Sequence, residues 1–281
     1  MTDPLVSVQW LAAQSRDALR VLDIRSAVDG GGAAAYEAAH VPGAVHTDYV
    51  KDGWRATKGM ATGLLPERAH LAELFARCGI TPDLHVVIVG AGTSPGDFSA
   101  ASRIYWTLKI AGHRKQSILA GGMAAWQDAG QPVESGRQPP EPVPAYPVEF
   151  VDGLRADLAA VKRALERGDH VLLDTRSRSY FEGHEKSPQA KRAGRLPSAV
   201  HLDHTLAFDP ATWRLRSLPE LERLFALPAQ PIVTYCNTGQ QAATNWFILS
   251  EVLRRPQVLL YDGSMSEWTE DETRPVGVGP V

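Results

Sequence analysis

Short apolar runs alternate along this chain with longer stretches whose apolar positions return at helical spacing. The most informative run is Ile232-Val233-Thr234-Tyr235, which stops at Cys236. Asn237, Thr238, Gly239, Gln240 and Gln241 follow, and from Ala242 the positions Trp246, Phe247, Leu249, Val252 and Leu253 recur at helical spacing. The pattern predicts a strand, a tight loop and a helix, with Cys236 at the strand's end and the loop feeding the helix N-terminus. The same reading predicts strands over 20–25, 84–89, 117–120 and 171–176 and helices over 65–78 and 98–110. Short helices follow the turns at Gly121-Gly122 and Gly263-Ser264.

A second pattern lies over the first. The strand ending Asp23-Ile24-Arg25 returns as the strand ending Asp174-Thr175-Arg176. Tyr36-Glu37 returns as Tyr180-Phe181-Glu182, and His40-Val41-Pro42-Gly43-Ala44-Val45 as Arg195-Leu196-Pro197-Ser198-Ala199-Val200. Leu65-Pro66-Glu67 returns as Leu218-Pro219-Glu220, the strand over 86–89 as that over 232–235, and Gly121 to Trp126 as Gly263 to Trp268. Constant order implies two copies of one α/β unit. Strands alternating with helices give each copy a mostly parallel central sheet with helices on both faces. Between the copies, 131–147 carries Pro132, Pro139, Pro140, Pro142, Pro144 and Pro147. Such density of proline excludes a helix or a central strand. The expected domains are therefore 1–135 and 151–281, joined by an extended linker over 136–150.

The alternation locates chemistry, because open parallel sheets bind ligands beyond the carboxyl ends of their strands. Cys236 stands at such an end. Backbone N–H groups in the first turn of a helix lack partners, and the helix dipole adds positive potential, so a thiolate held there is stabilised. Gly239 allows the loop to curl and aim its N–H groups inward at the sulfur or at an anion carried on it. The local pattern alone also fits a buried packing cysteine. Cys78, at the end of an apolar helix face, reads as packing.

Composition narrows the classes. With 281 residues there is room for two domains, and 44% hydrophobic with 22% charged residues describes a globular chain. Lys and Arg number 29 against 32 Asp and Glu, a net charge of −3, which argues against nucleic acid as a partner. Two cysteines build no disulfide framework in a chain this size and suit a reducing compartment, and neither has metal-ligand spacing around it. The N-terminus shows no signal-peptide pattern, and no apolar run approaches the roughly 18 residues of a membrane helix. A cytoplasmic location without membrane contact is expected.

The duplicated Asp-x-Arg strand ends, the His40-Val41-Pro42-Gly43-Ala44 motif, the two glycine-to-tryptophan segments and the loop from Cys236 to Gln241 together resemble the tandem-rhodanese sulfurtransferases. That group includes thiosulfate and 3-mercaptopyruvate sulfurtransferases, and the resemblance runs nearly end to end. It implies that Cys236 takes the outer sulfur of a donor as a persulfide, that the loop N–H groups of 237–241 hold it, and that cyanide or a thiol, a protein thiol included, accepts it. It implies no organic cofactor. Gly90 stands where the second copy has Cys236, so the first copy is expected to be catalytically silent. Asp174 and Arg176 are expected to hold the fold, since the silent copy keeps the pair as Asp23 and Arg25.

The loop departs from both subtypes. It carries no cation directly after the cysteine, as the thiosulfate type does, while Thr238 stands where the mercaptopyruvate type has serine. Thiosulfate is the first expectation for the donor and 3-mercaptopyruvate the second. Arg178 and Arg195 are the candidate donor-anchoring cations. His184, in a polar insertion without counterpart in the first copy, reads as an exposed loop residue. A cysteine phosphatase would need arginine at the sixth position after the cysteine, where this chain has Ala242. A non-catalytic rhodanese-like binding module would lack the nucleophile in both copies.

Overall fold

A computed structural model describes residues 2–137 and 139–281. Its strands are β1 Leu5–Val6, β2 Leu19–Asp23, β3 Val45–His46, β4 Ala56–Lys58, β5 Ala61–Leu64, β6 His85–Val89, β7 Gln116–Leu119, β8 Val171–Asp174, β9 Val200–His201, β10 Ile232–Tyr235 and β11 Val258–Leu260. In one sheet the order is β1-β7-β6-β2-β3, all parallel. In the other it is β11-β10-β8-β9, again all parallel. Arg155 bridges Leu260 in parallel, at the edge that β1 takes in the first sheet. The duplication read in the motifs is thus a duplication of strand order.

Near-continuous burial explains the composition of these strands. Val86, Val87, Ile88 and Val89 are all buried, as are Ile232, Val233, Thr234 and Tyr235, because helices flank both sheets. On one face Val21, Val87, Val89, Met123 and Trp126 form a cluster. Its counterpart in the second sheet joins Leu172, Val233, Tyr235, Met265 and Trp268. The helix after Cys236 covers the opposite face with Ala242, Ala243, Trp246 and Phe247, and the Trp246 indole donates to the Val258 carbonyl at 3.0 Å.

Element bounds shift where caps decide them. The helix expected from Ala242 starts earlier, Gln240–Phe247, because Gly239 adopts the left-handed conformation at its N-cap, φ 77°. Its continuation over Ile248–Val252 is wound as a π-helix. The helix expected from Leu65 begins later, at Arg68–Arg77, with Glu67 still extended at the N-cap position and making no side-chain cap bond. The helix Pro95–Ile110 starts earlier than expected, in a capping box between Ser94 and Asp97.

The chain forms two compact units: Met1–Trp54, Pro66–Val151 and Phe208–Leu215 make one, and Arg55–Leu65, Asp152–Ala207 and Arg216–Val281 the other. Each takes a segment from the opposite half of the chain, which a division at the proline-rich stretch does not foresee. The antiparallel hairpin β4–β5, absent from the strand pattern read above, is the segment the second unit acquires. Described residues of this stretch are tied to the first unit: Glu134 N–H donates to the His40 carbonyl at 3.0 Å, Tyr146 N–H to Ala72 at 3.1 Å and Glu149 N–H to Ala111 at 3.2 Å. Gln138 of that stretch lies outside the described residues.

Candidate active site

Cys236 leaves β10 directly into the loop that starts the Gln240–Phe247 helix. It is 1% exposed. Its backbone is fixed on both sides: the Cys236 carbonyl accepts from Met265 N–H at 3.1 Å, and its N–H donates to the Ser264 hydroxyl at 3.0 Å. The Gly239 N–H donates to the Cys236 Sγ at 3.1 Å. The left-handed φ of Gly239 turns that N–H back toward the strand end, a conformation that costs any other residue about 1–2 kcal/mol.

Asn237 is the second fixed point. Its carbonyl accepts from Ser266 N–H at 2.9 Å, and its side-chain oxygen accepts from Arg176 Nη1 at 3.2 Å. Thr238, Gln240 and Gln241 are half-buried. The loop is thus fixed at Cys236, Asn237 and Gly239, in part by the start of the helix Ser264–Trp268.

Asp174 and Arg176 hold that structure from behind. Arg176 Nε and Nη2 reach the Asp174 oxygens at 2.9 and 2.6 Å, and Nη2 also donates to the Gly194 carbonyl at 2.8 Å. Asp23 and Arg25 repeat this, at 2.9 and 2.6 Å with Nη2 donating to the Ala39 carbonyl at 2.7 Å. The second copy adds the arm to Asn237. Burial works against the Arg176 charge, but Asp174, with smaller help from Tyr235 and Cys236, more than offsets it, and the guanidinium is held above its ordinary value. Burial also lifts the Tyr235 hydroxyl well above its usual range, so it stays neutral and accepts from Leu196 N–H at 3.1 Å.

Arg178 and Arg195 do not join the loop. The Arg178 side chain is exposed and pairs with Glu182 at 2.9 Å. Arg195 is buried against the Phe181 ring and donates to the Phe181 and Gly279 carbonyls at 3.3 and 2.7 Å. Both line a cavity with Phe181, Val200 and His201, and Cys236 does not line it. The Arg195 guanidinium is engaged by two backbone carbonyls, and that of Arg178 by a carboxylate. His184 is exposed, with Glu182 beside it.

Ser264 is a residue that the sequence reading noted only as part of a repeat. Its φ is 50°, a left-handed conformation that is uncommon outside glycine and costs about 1–3 kcal/mol. The equivalent residue of the first copy is Gly122, at φ 55°. A serine kept where the repeat has glycine was the available signal: its hydroxyl takes the Cys236 N–H and donates to the Tyr261 carbonyl at 2.8 Å.

The first copy's loop is spent on itself. Met123 N–H donates to the Gly90 carbonyl at 2.8 Å, as Met265 does to Cys236, so Gly90 is the true counterpart of the cysteine. The Thr93 and Ser94 N–H groups donate to the Asp97 carboxylate at 2.7 and 2.9 Å. The position thus lacks the thiol, and a carboxylate of the chain itself takes donors that an anion would need.

Cys78 caps the helix Arg68–Arg77 and is buried. Burial pushes its thiol up to about 12 from an ordinary value of 9.0. The folded chain keeps this proton while the unfolded chain loses it from about pH 9, so this group lowers stability progressively between those values as pH rises. In the native protein at pH 8, Cys78 is expected to stay unmodified by iodoacetamide through an incubation that labels it fully in denaturant; peptide mapping after each reaction measures this.

Comparison with known proteins identifies the family. The rhodanese-like domain matches residues 7–129 and again 157–271. A thiosulfate sulfurtransferase of Corynebacterium glutamicum is 33% identical over 98% of this chain and 90% of its own. A probable 3-mercaptopyruvate sulfurtransferase of Pseudomonas aeruginosa is 34% identical over 98% of both. Among solved structures, an anaerobic ergothioneine biosynthesis enzyme from Chlorobium limicola superimposes with a TM-score of 0.87 over 99% of this chain and 71% of its own, at 22% identity, which speaks for the fold alone. Two sheets of one strand order, a cysteine at the end of β10 and full-length sulfurtransferase relatives lead to one conclusion: this chain belongs to the rhodanese-like family, as a tandem member of its sulfurtransferase branch.

Proposed function

We propose that the protein moves sulfane sulfur from thiosulfate to a thiophilic acceptor through a persulfide on Cys236. The observation that carries this reading is the Gly239 N–H directed at Sγ in a loop fixed at Asn237 and Ser264. The Cys236 thiolate attacks the outer sulfur of thiosulfate, a new S–S bond forms, and the old one breaks with its electron pair leaving on sulfite. Cyanide or a thiolate then attacks the outer sulfur of the persulfide, and the cysteine departs as thiolate, so no external oxidant or reductant is consumed. The half-reactions are separate and predict ping-pong kinetics. No organic cofactor enters, since the sulfur rides on the chain.

3-Mercaptopyruvate is the second donor reading. It is favoured by the uncharged loop and by the Thr238 hydroxyl, which stands two residues beyond the nucleophile. The test is intact mass after incubation with each donor separately. A gain of one sulfur, ~32 Da, lost again on adding cyanide, is the expected result. The donor that loads faster is the substrate class. No gain with either donor overturns the reading.

A further inference from the structure

The hairpin β4–β5 belongs to the second compact unit although the chain reaches it long before the rest of that unit. It is latched there at two backbone donors. Leu65 N–H donates to an Asp262 carboxylate oxygen at 2.6 Å, and Met60 N–H donates to the Glu270 carboxylate. Asp262 is itself fixed by Arg155 Nε at 2.9 Å. Between the latches lies Gly63. A Cβ placed on it would stand 1.7 Å from the Thr238 carbonyl oxygen and 2.6 Å from its carbon, so the backbone of the hairpin abuts that carbonyl with no room for a side chain.

The Thr238 carbonyl and the Gly239 N–H are two ends of one peptide unit. In a trans peptide they point in opposite directions. The oxygen faces Gly63, and the N–H faces the Cys236 sulfur at 3.1 Å. Rotating this unit about its flanking bonds would carry the N–H away from the sulfur and bring a carbonyl oxygen toward it. Next to a thiolate or a persulfide anion, that exchange replaces attraction by repulsion.

The geometry points to Gly63 as a positioning residue: the β4–β5 hairpin, by backing the Thr238–Gly239 peptide, fixes the direction of the N–H that holds the sulfur. This builds on the persulfide reading of Cys236 but concerns a separate observable, the orientation of a donor at the thiol. Glycine is required at position 63 by the close approach of two backbones, since no positive φ demands it.

The test compares Gly63→Ala and Glu270→Ala with wild type, and Lys58→Ala as a hairpin control. Gly63→Ala inserts the clashing carbon, and Glu270→Ala releases the Met60 latch without adding volume. Two readouts are taken, the rate of sulfur loading from thiosulfate and the pH profile of Cys236 alkylation by iodoacetamide. The expected result is loading slowed on the order of 10-fold in Gly63→Ala and less in Glu270→Ala, with half-maximal alkylation moved to higher pH in both. Lys58→Ala is expected to match wild type. Should Gly63→Ala fail to fold, Glu270→Ala decides on the same two readouts. Folded variants with wild-type loading and an unmoved alkylation profile overturn the inference. A wild-type protein that loads no sulfur overturns the persulfide reading, and the alkylation profile still decides the role of Gly63.

Discussion

Cys236→Ser is expected to take up no sulfur from any donor and to reduce turnover to the uncatalysed background. Loss of the nucleophile removes the covalent step altogether, and in enzymes where one side chain carries that step the cost is on the order of 10⁶-fold in kcat. Serine preserves nearly the volume of the thiol, and Cys236 is buried in a loop with fixed backbone bonds at Ser264 and Met265. Thermal unfolding should therefore match wild type, which separates lost chemistry from lost structure. Intact mass with thiosulfate and with 3-mercaptopyruvate checks the loading, and thiocyanate formation checks the turnover. Turnover surviving in Cys236→Ser would move the nucleophile elsewhere, and Cys78, whose thiol is pushed up to about 12, is no thiolate at neutral pH.

Asp174→Ala is expected to produce the largest stability loss of any single replacement around the site. The guanidinium of Arg176 is 3% exposed and keeps two bonds to Asp174 as short as 2.6 Å. Removing one partner of a buried pair leaves an uncompensated charge and costs about 3–5 kcal/mol. In a chain of this size that is a fall in Tm on the order of 10 °C. Asp23→Ala breaks the same geometry in the first copy and should cost as much. The two differ in chemistry: Arg176 also holds Asn237, whereas Arg25 spends its second arm on the Ala39 carbonyl. Folded Asp174→Ala should therefore load sulfur more slowly, and Asp23→Ala at the wild-type rate. Calorimetry with sulfur loading on both variants checks the pair, and equal loading would reduce Arg176 to a fold-holding residue.

What the chain discloses before folding depends on whether a feature is local. The strand ending at Tyr235, the cysteine after it and the glycine that curls the loop are consecutive, and periodicity with turn chemistry suffices to read them. The repeated Asp-x-Arg ends are legible because a copy exists for comparison. Ser264 was within reach on the same ground, since its glycine counterpart in the first copy marks a left-handed position. The role of Arg195 was not. Its charge suggested an anion, but the groups that consume it, the Phe181 and Gly279 carbonyls, are backbone atoms that no side-chain pattern records. The Asp97 carboxylate over the Thr93 and Ser94 amides is local, and the Ser94–Asp97 capping box announces it. Gly63 is the opposite case. Its partner is 175 positions away, and nothing near it in the chain signals the approach.

The exchanged segments also set an order of assembly. Arg55–Leu65 is synthesised early, yet the groups that hold it, Thr238, Asp262 and Glu270, follow only after most of the chain. Phe208–Leu215 goes the other way, and completes a unit whose other parts were finished long before. A nascent chain that has released only its first half holds a hairpin without a surface to rest on, and such unpaired edges invite aggregation. Closing loops this long is slow because their entropy is lost before any contact compensates it. The loop around Cys236 thus gains its backing only after Asp262 and Glu270 have been made, and a ribosome that stops at the proline-rich stretch leaves neither unit whole.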